Sequence, residues 1–169
     1  MAVVLTADGI ELRPLTRVDA LAHKAGEDEE QIAAFEFPGP APIENVLAAI
    51  DAWQVSWSEG GPVRNFGIWE SGTGRLCGNV AVRLIADRLV NLSYTVFPEF
   101  RRRGLATRSA RLVLEYAARE MGAVTAHIKV LTWNEASLAV ARALGGREIG
   151  REPSDADGTF VVFEVSLPT

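Results

Sequence analysis

Arg101, Arg102, Arg103, Gly104, Leu105, Ala106 and Thr107 follow a β-type run that closes on Pro98, and they precede an amphipathic stretch. The order strand, tight basic turn, helix start draws successive backbone N–H groups and the positive end of a helix dipole to one point. That chemistry suits a phosphorylated ligand. Gly104 permits close backbone approach, Ala106 is too small to obstruct a ligand, and the arginines add charge. The string Arg101-x-x-Gly104-x-Ala106 lacks the Gly-Lys-Ser/Thr that nucleotide hydrolases use for terminal phosphates and magnesium. It also lacks the Gly-x-Gly-x-x-Gly of dinucleotide folds. What remains is a pyrophosphate cradle, and its rival is a surface turn with solvated arginines.

Other reactive side chains are scattered. His23 and His127 each lack a second ligand at metal spacing and read as surface or sheet histidines, so no metal is expected. Cys77 lies inside a β-type run and reads as a packing residue; as the one cysteine of the chain it excludes an intramolecular disulfide framework. Glu27-Asp28-Glu29-Glu30 reads as a solvated helix start.

The elements that must position the loop are legible from periodicity. Residues 3–5 and 10–13 suggest a short hairpin or a strand with a lead-in. Thr16 with Asp19 is a capping-box-like start for a helix to about Lys24, and residues 27–35 suggest another short helix before a proline-rich break. Ile43, Val46, Leu47, Ile50, Trp53 and Trp57 recur at helical spacing. Residues 64–70, 75–84 and 89–96 form an antiparallel meander. After the loop, one helix buries Leu105, Leu112, Val113, Tyr116 and Ala117 and exposes Arg108, Arg111, Glu115 and Arg119. A strand over residues 124–131, a helix from Asn134 to Leu144 and strands at 147–151 and 159–165 complete the chain. The fold class is α/β (α+β): a single mixed, mostly antiparallel sheet of about seven strands flanked by about four helices. The strands on either side of the loop helix are parallel neighbours.

Composition bounds the rest. At 169 residues, 48% hydrophobic and 23% charged, the chain reads as a single globular domain over residues 1–169. The net charge of −5 argues against nucleic acid as a partner. No apolar run approaches the roughly 20 residues of a membrane span, and the N-terminus lacks a signal-peptide pattern. A soluble, cytoplasmic protein is expected.

Residues 91–107 resemble the acyl-CoA signature of the GNAT superfamily of N-acetyltransferases, whose loop reads Arg/Gln-x-x-Gly-x-Gly/Ala. The branch most resembled is that of the ribosomal-protein N-terminal acetyltransferases. It is carried by Tyr94-x-Val96-x-Pro98-x-x-Arg101, by Gly104-Leu-Ala-Thr107, by Asn134-Glu-Ala-Ser137-Leu-Ala-Val140 and by Leu144-Gly-Gly. The resemblance runs from the first strand to the last, with its specific motifs within residues 91–146. It implies a splayed parallel strand pair. It also implies acetyl-CoA as cosubstrate, with main-chain groups of Tyr94, Thr95 and Val96 along the pantetheine arm. Backbone N–H groups of residues 102–107 would hold the pyrophosphate, and Asn134 would reach the cofactor. The partners implied are acetyl-CoA and an amine acceptor, either a protein N-terminus or a small molecule, with a homodimer left open. The resemblance further implies that the segment between the first two helices, with its acidic run from Glu27 to Glu30, would border the acceptor groove, where a cationic amine, a peptide N-terminus or an aminoglycoside would meet its charge. Among Phe35, Phe37, Trp53, Trp57, Phe66 and Trp69, mostly core, one or two would line that pocket, and Trp133 would flank the cofactor.

The implied reaction is direct acyl transfer, which needs proximity, a neutral amine, a polarised carbonyl and a proton for the departing thiolate. A backbone N–H near Val96 would polarise the carbonyl. The position where many relatives carry a tyrosine is Ala141, so Ser137 becomes the proton-donor candidate, with helix capping as its rival role. Asn134 has the same rival as an N-cap. The position of the usual glutamate base is Asn91; Glu70, Glu164 or a water chain are the substitutes. These two departures keep a second reading in play, a non-catalytic acyl-CoA-binding or regulatory domain.

Overall fold

Asp8 and Gly9, both at positive φ (40° and 81°), turn the chain between β1 (Leu5–Ala7) and β2 (Ile10–Arg13). The opening segment is therefore a true hairpin. β2 pairs antiparallel with β3 (Val63–Glu70), β3 with β4 (Leu76–Ala86) and β4 with β5 (Leu89–Val96). β5 lies parallel to β6 (Thr125–Leu131). β6 pairs antiparallel with β8 (Thr159–Ser166), which pairs with the edge strand β7 (Arg147–Pro153). The computed structural model describes residues 3–156 and 158–168, and its sheet order is β1-β2-β3-β4-β5-β6-β8-β7. Among these described residues eight strands stand where about seven were expected, because the hairpin contributes two.

Among the described residues five α-helices stand where about four were expected. Thr16 and Asp19 do cap the first helical segment, the Thr16 N–H donating to the Asp19 carboxylate at 2.8 Å. That segment runs through a 3-10 turn into α1 (Ala20–Ala25) and stops at Gly26. A Cβ on Gly26 would lie 2.3 Å from the Phe97 ring, so the helix ends where the backbone presses on that ring. α2 (Glu29–Ala34) restarts on Asp28, whose carboxylate accepts from the Gln31 N–H. α3 (Ile43–Ser58) buries Val46 and Ile50, and α4 (Leu105–Met121) buries Leu105, Ser109, Ala110, Val113, Leu114 and Ala117. Leu112 and Tyr116 on α4 are only half-buried, and Leu114, absent from the expected face, is in the core. α5 (Glu135–Ala143) follows β6.

The core is aromatic and aliphatic. Trp57 of α3, Phe66 of β3 and Tyr116 of α4 meet with ring centroids 5.0 to 6.1 Å apart. Full burial of a side chain such as Phe66 stabilises the fold by about 1.5–3 kcal/mol.

One interruption in the sheet positions everything that follows. β5 and β6 are in register for Leu89↔Thr125, Val90↔Ala126 and Asn91↔His127, and there the pairing stops. β6 remains paired to β8 as far as Leu131↔Phe160. Residues 92–96 of β5 therefore keep β4 on one side and a gap on the other. The alternation of buried Val90 and Leu92 breaks at the half-buried Tyr94.

Candidate functional site

β5 ends at Val96, the Phe97 N–H donates to the Cys77 carbonyl at 2.8 Å, and a 3-10 turn over Pro98–Phe100 leads into the loop. Arg102 and Gly104 take left-handed conformations, with φ of 61° and 71°, and α4 starts immediately after. The Arg101 N–H bonds back to Pro98 and the Arg108 N–H to Gly104. Between them, the backbone N–H groups of residues 102–107 meet no protein acceptor among the described residues. A run of convergent, unmatched donors at a helix start is an anion nest. Only Arg108 Nε, at 4.0 Å, approaches a Cβ placed on Gly104, so its φ and not crowding by the protein calls for glycine.

The nest opens onto a cleft of about 700 Å³. Its walls are the loop, the end of β5 (Tyr94, Thr95, Val96), the start of α5 (Asn134, Ser137) and a face of α2 (Glu30, Ala34, Phe35). A recess of about 220 Å³ continues down the β5–β6 gap past Asn91, Ser93 and Val130 to Phe160. Tyr94, Asn134 and Ser137 line both spaces.

The three arginines divide. The Arg101 guanidinium bonds both oxygens of Asp28 and also Glu30, while its Nε donates to the Val96 carbonyl. Arg102 lines the cleft and makes no side-chain hydrogen bond or ion pair among the described residues. Arg103 turns away: it lies over the Phe100 ring, donates to the Glu99 carbonyl and faces Glu70. The expected side-chain charge from all three arginines is thus reduced to Arg102, with Arg101 at the rim, and Arg103 offers only its backbone.

Asn134 Oδ1 accepts from the Ser137 N–H at 3.0 Å, so Asn134 is the N-cap of α5. The Ser137 hydroxyl lies 2.7 Å from the Tyr94 hydroxyl, where either oxygen can donate, and the same phenol lies 3.2 Å from the Ser137 carbonyl oxygen. Burial pushes the Tyr94 phenol up to about 12, with the Ser137 hydrogen bond pulling the other way. Sequence reasoning gave Tyr94 a main-chain role only. Its side chain reaches Ser137 because the missing β6 neighbour leaves room, a relation between residues 43 apart in the chain.

The family model for the acetyltransferase (GNAT) domain matches residues 10–147. The chain belongs to the GNAT acetyltransferase family. No curated protein sequence matches it at a significant level. Among solved structures, this GNAT chain is similar to RimL, a ribosomal alpha-N-protein acetyltransferase in complex with coenzyme A. There the TM-score is 0.86 and the identity 15%, over 98% of each chain. RimJ of Mycobacterium smegmatis, in complex with a CoA-disulfide, gives a TM-score of 0.82 and 17% identity over 98% of this chain and 86% of that one. The microcin C7 self-immunity acetyltransferase MccE, in complex with acetyl-CoA and AMP, gives 0.83 and 14% over 95% and 94%. At these identities the likeness is one of fold.

The carboxylates of this GNAT domain lie elsewhere than sequence suggested. Neither Glu70 nor Glu164 lines the cleft or the recess: Glu70 bonds Thr73 and faces Arg103, and Glu164 faces His127 and Arg147. The acidic run is structural. Glu27 accepts from the Ala41 N–H, Asp28 caps α2, and Asp28 and Glu30 hold Arg101. Burial raises the Asp28 carboxyl, but hydrogen bonds from Arg101 and Gln31 outweigh it and hold the group below its usual range. His23 packs against Trp53 and Phe97, and burial keeps its imidazole less basic than usual despite Glu27. Burial likewise raises the Cys77 thiol. Phe35 lines both spaces, whereas Trp53, Trp57, Phe66 and Trp69 pack on or in the core. Trp133 is exposed and lines neither space. No helix among the described residues is long and apolar enough to cross a membrane, and none of their acidic, His or Cys side chains cluster as a metal site.

Proposed function

We propose that this GNAT domain, acting as one unit over residues 1–169, transfers the acetyl group of acetyl-CoA to a primary amine. The observation that carries the reading is the run of unmatched N–H groups over residues 102–107, opening onto a gap in the sheet. The nest suits the pyrophosphate, with Arg101 at its rim and the backbone of Arg102, Arg103, Gly104, Leu105, Ala106 and Thr107 as its floor. Main-chain groups of Tyr94, Thr95 and Val96 along the free side of β5 suit the amide-bearing arm, as an added strand would. Asn134 borders that path, and Ser137 is the candidate that meets the departing sulfur.

The acceptor follows from charge. Glu30 is the one carboxylate among the lining residues, and it pairs with Arg101. Without a free base, an amine that is already partly neutral is favoured. At pH 7 roughly one α-amine in eight is neutral, against roughly one lysine side chain in 2,500, from their ordinary pKa values. A protein N-terminal α-amine is the leading acceptor in the cytoplasm, and a small-molecule amine of low pKa is second. The RimL structure is that of a ribosomal alpha-N-protein acetyltransferase, which supports the first of these acceptors.

Thiol release from acetyl-CoA in the presence of short peptides and small amines tests the reading. Turnover on a free α-amine, lost when the peptide N-terminus is blocked, is the expected result. Acetyl-CoA binding without turnover on any acceptor would instead favour a binding or regulatory module, a reading supported by Asn91 and Ala141 at the positions of the usual base and tyrosine.

A further inference from the structure

We propose that the Tyr94 phenol positions the Ser137 hydroxyl toward the acyl-donor sulfur, so that the pair forms a hydrogen-bonding site for the departing thiolate. This rests on the acetyl-transfer reading above. Ser137 is held at three atoms: its N–H by Asn134 Oδ1, and its hydroxyl and carbonyl oxygens by the Tyr94 hydroxyl. A serine hydroxyl at a helix start ordinarily rotates among acceptors. Here one rotor is fixed by a phenol anchored on a different element, across the gap in the sheet. Both residues line the cleft and the recess, so the pair stands where the two spaces meet.

The protons decide the roles. The two hydroxyls carry two protons. With the single Tyr94 proton directed to the Ser137 hydroxyl oxygen, the closer of its two acceptors at 2.7 Å against 3.2 Å for the carbonyl, the Ser137 proton is free to point into the gap. The phenol, raised to about 12, stays protonated beside a thiolate whose ordinary value is about 8.5. Tyr94 is therefore a positioning residue. In the reaction the N–C bond forms and the C–S bond breaks. The electron pair goes to sulfur, and the proton lost by the amine ends on sulfur. The Ser137 hydrogen bond stabilises the sulfur anion in the interval, and both hydroxyls keep their protons. A hydrogen bond to a charged partner in a desolvated site is stronger than one to a neutral partner. It therefore favours the thiolate over both thiol and thioester.

Coenzyme A itself is the probe, so no acceptor is needed. Its thiol is titrated by ultraviolet thiolate absorbance while bound to wild type, Tyr94→Phe, Ser137→Ala and the double variant. The charged groups lining the two spaces, Glu30, Arg101, Arg102 and Lys129, are the same in all four. The expected result is that both single variants ionise the bound thiol about one pH unit higher than wild type. The double variant should add nothing further, and affinity for CoA below the thiol pKa should stay within about threefold, well under the 1.4 kcal/mol of a tenfold change. An unshifted Tyr94→Phe beside a shifted Ser137→Ala would make Tyr94 a packing residue and overturn the inference; so would no shift in either. Wild type that fails to bind CoA overturns the acetyl-transfer reading itself, a distinct result. Activity supplies a second readout: Tyr94→Phe should lower kcat and leave KM for acetyl-CoA unchanged.

Discussion

The guanidinium of Arg101 grips the carboxylate of Asp28 through two hydrogen bonds, 2.8 and 2.9 Å long. The first arginine of the loop thereby fastens α2, which walls the cleft, to the segment that leads into the nest. Nest and cleft wall are one mechanical unit.

Arg101→Gln should loosen that wall while leaving the nest N–H groups in place. Denaturant unfolding is expected to show a loss of about 2 kcal/mol, the scale of a charge-assisted hydrogen-bonded pair. The acetyl-CoA affinity, measured by calorimetry, should fall by less than about threefold, under 1 kcal/mol. A larger loss of affinity would place the guanidinium at the phosphates.

The same pair has a pH signature. The folded Asp28 carboxyl lies below its ordinary value of 3.8. Its contribution to stability is therefore complete above the unfolded pKa and is lost as pH falls through the folded one. Asp28→Asn keeps an N-cap residue. The stability gap between wild type and variant should be constant above about pH 5 and close below about pH 4. A gap independent of pH would show the pair to be energetically idle.

Gly104 carries two consequences. Gly104→Ala should cost about 1 kcal/mol, because a left-handed φ is required and the surrounding space is open. Gly104→Glu should abolish acetyl-CoA binding while circular dichroism stays native; retained affinity would remove the nest from the phosphate site.

Gly78 tests the frame of the splay. A Cβ there would lie 2.0 Å from the Thr95 carbonyl oxygen. Gly78→Ala should therefore push β4 off β5, at a cost of about 3 kcal/mol. Gly150→Ala, where nothing lies within 4 Å, should change stability by less than about 0.5 kcal/mol.

Cap and chemistry separate on α5. Asn134→Ala should cost about 1 kcal/mol of stability, and Asn134→Asp should restore it. Ser137→Ala keeps the capped N–H, so stability should hold while kcat falls. An unchanged kcat would leave Ser137 a residue of the first helical turn and nothing more.

Most of the fold was legible locally. β5 falls on the expected residues, 89–96, and α5 starts at Asn134 as its cap predicts. Alternation, capping and glycine stops act within a few residues, so they survive reading one segment at a time. The loop was legible for the same reason: residues 102–107 form a nest through their own backbone. The arginine side chains were not. A long side chain takes its partner from whatever the fold brings near, and Asp28, 73 positions away, claims Arg101. That Glu70 and Glu164 lie outside the cleft and the recess was hidden on the same ground, since strand parity does not say which stretch of a sheet borders a gap.

By itself the sequence determined the order of elements, the nest at the head of α4, and the two motifs by which the chain resembles acyl-CoA enzymes. Each is a short-range matter of backbone conformation or spacing. Only the tertiary structure decided that β5 and β6 part after Asn91 and His127, that α2 covers the cleft under the hold of Arg101, and that Tyr94 meets Ser137. Those relations depend on which surfaces pack together in three dimensions. A gap in a sheet belongs to two strands at once, and no single segment of the chain records it.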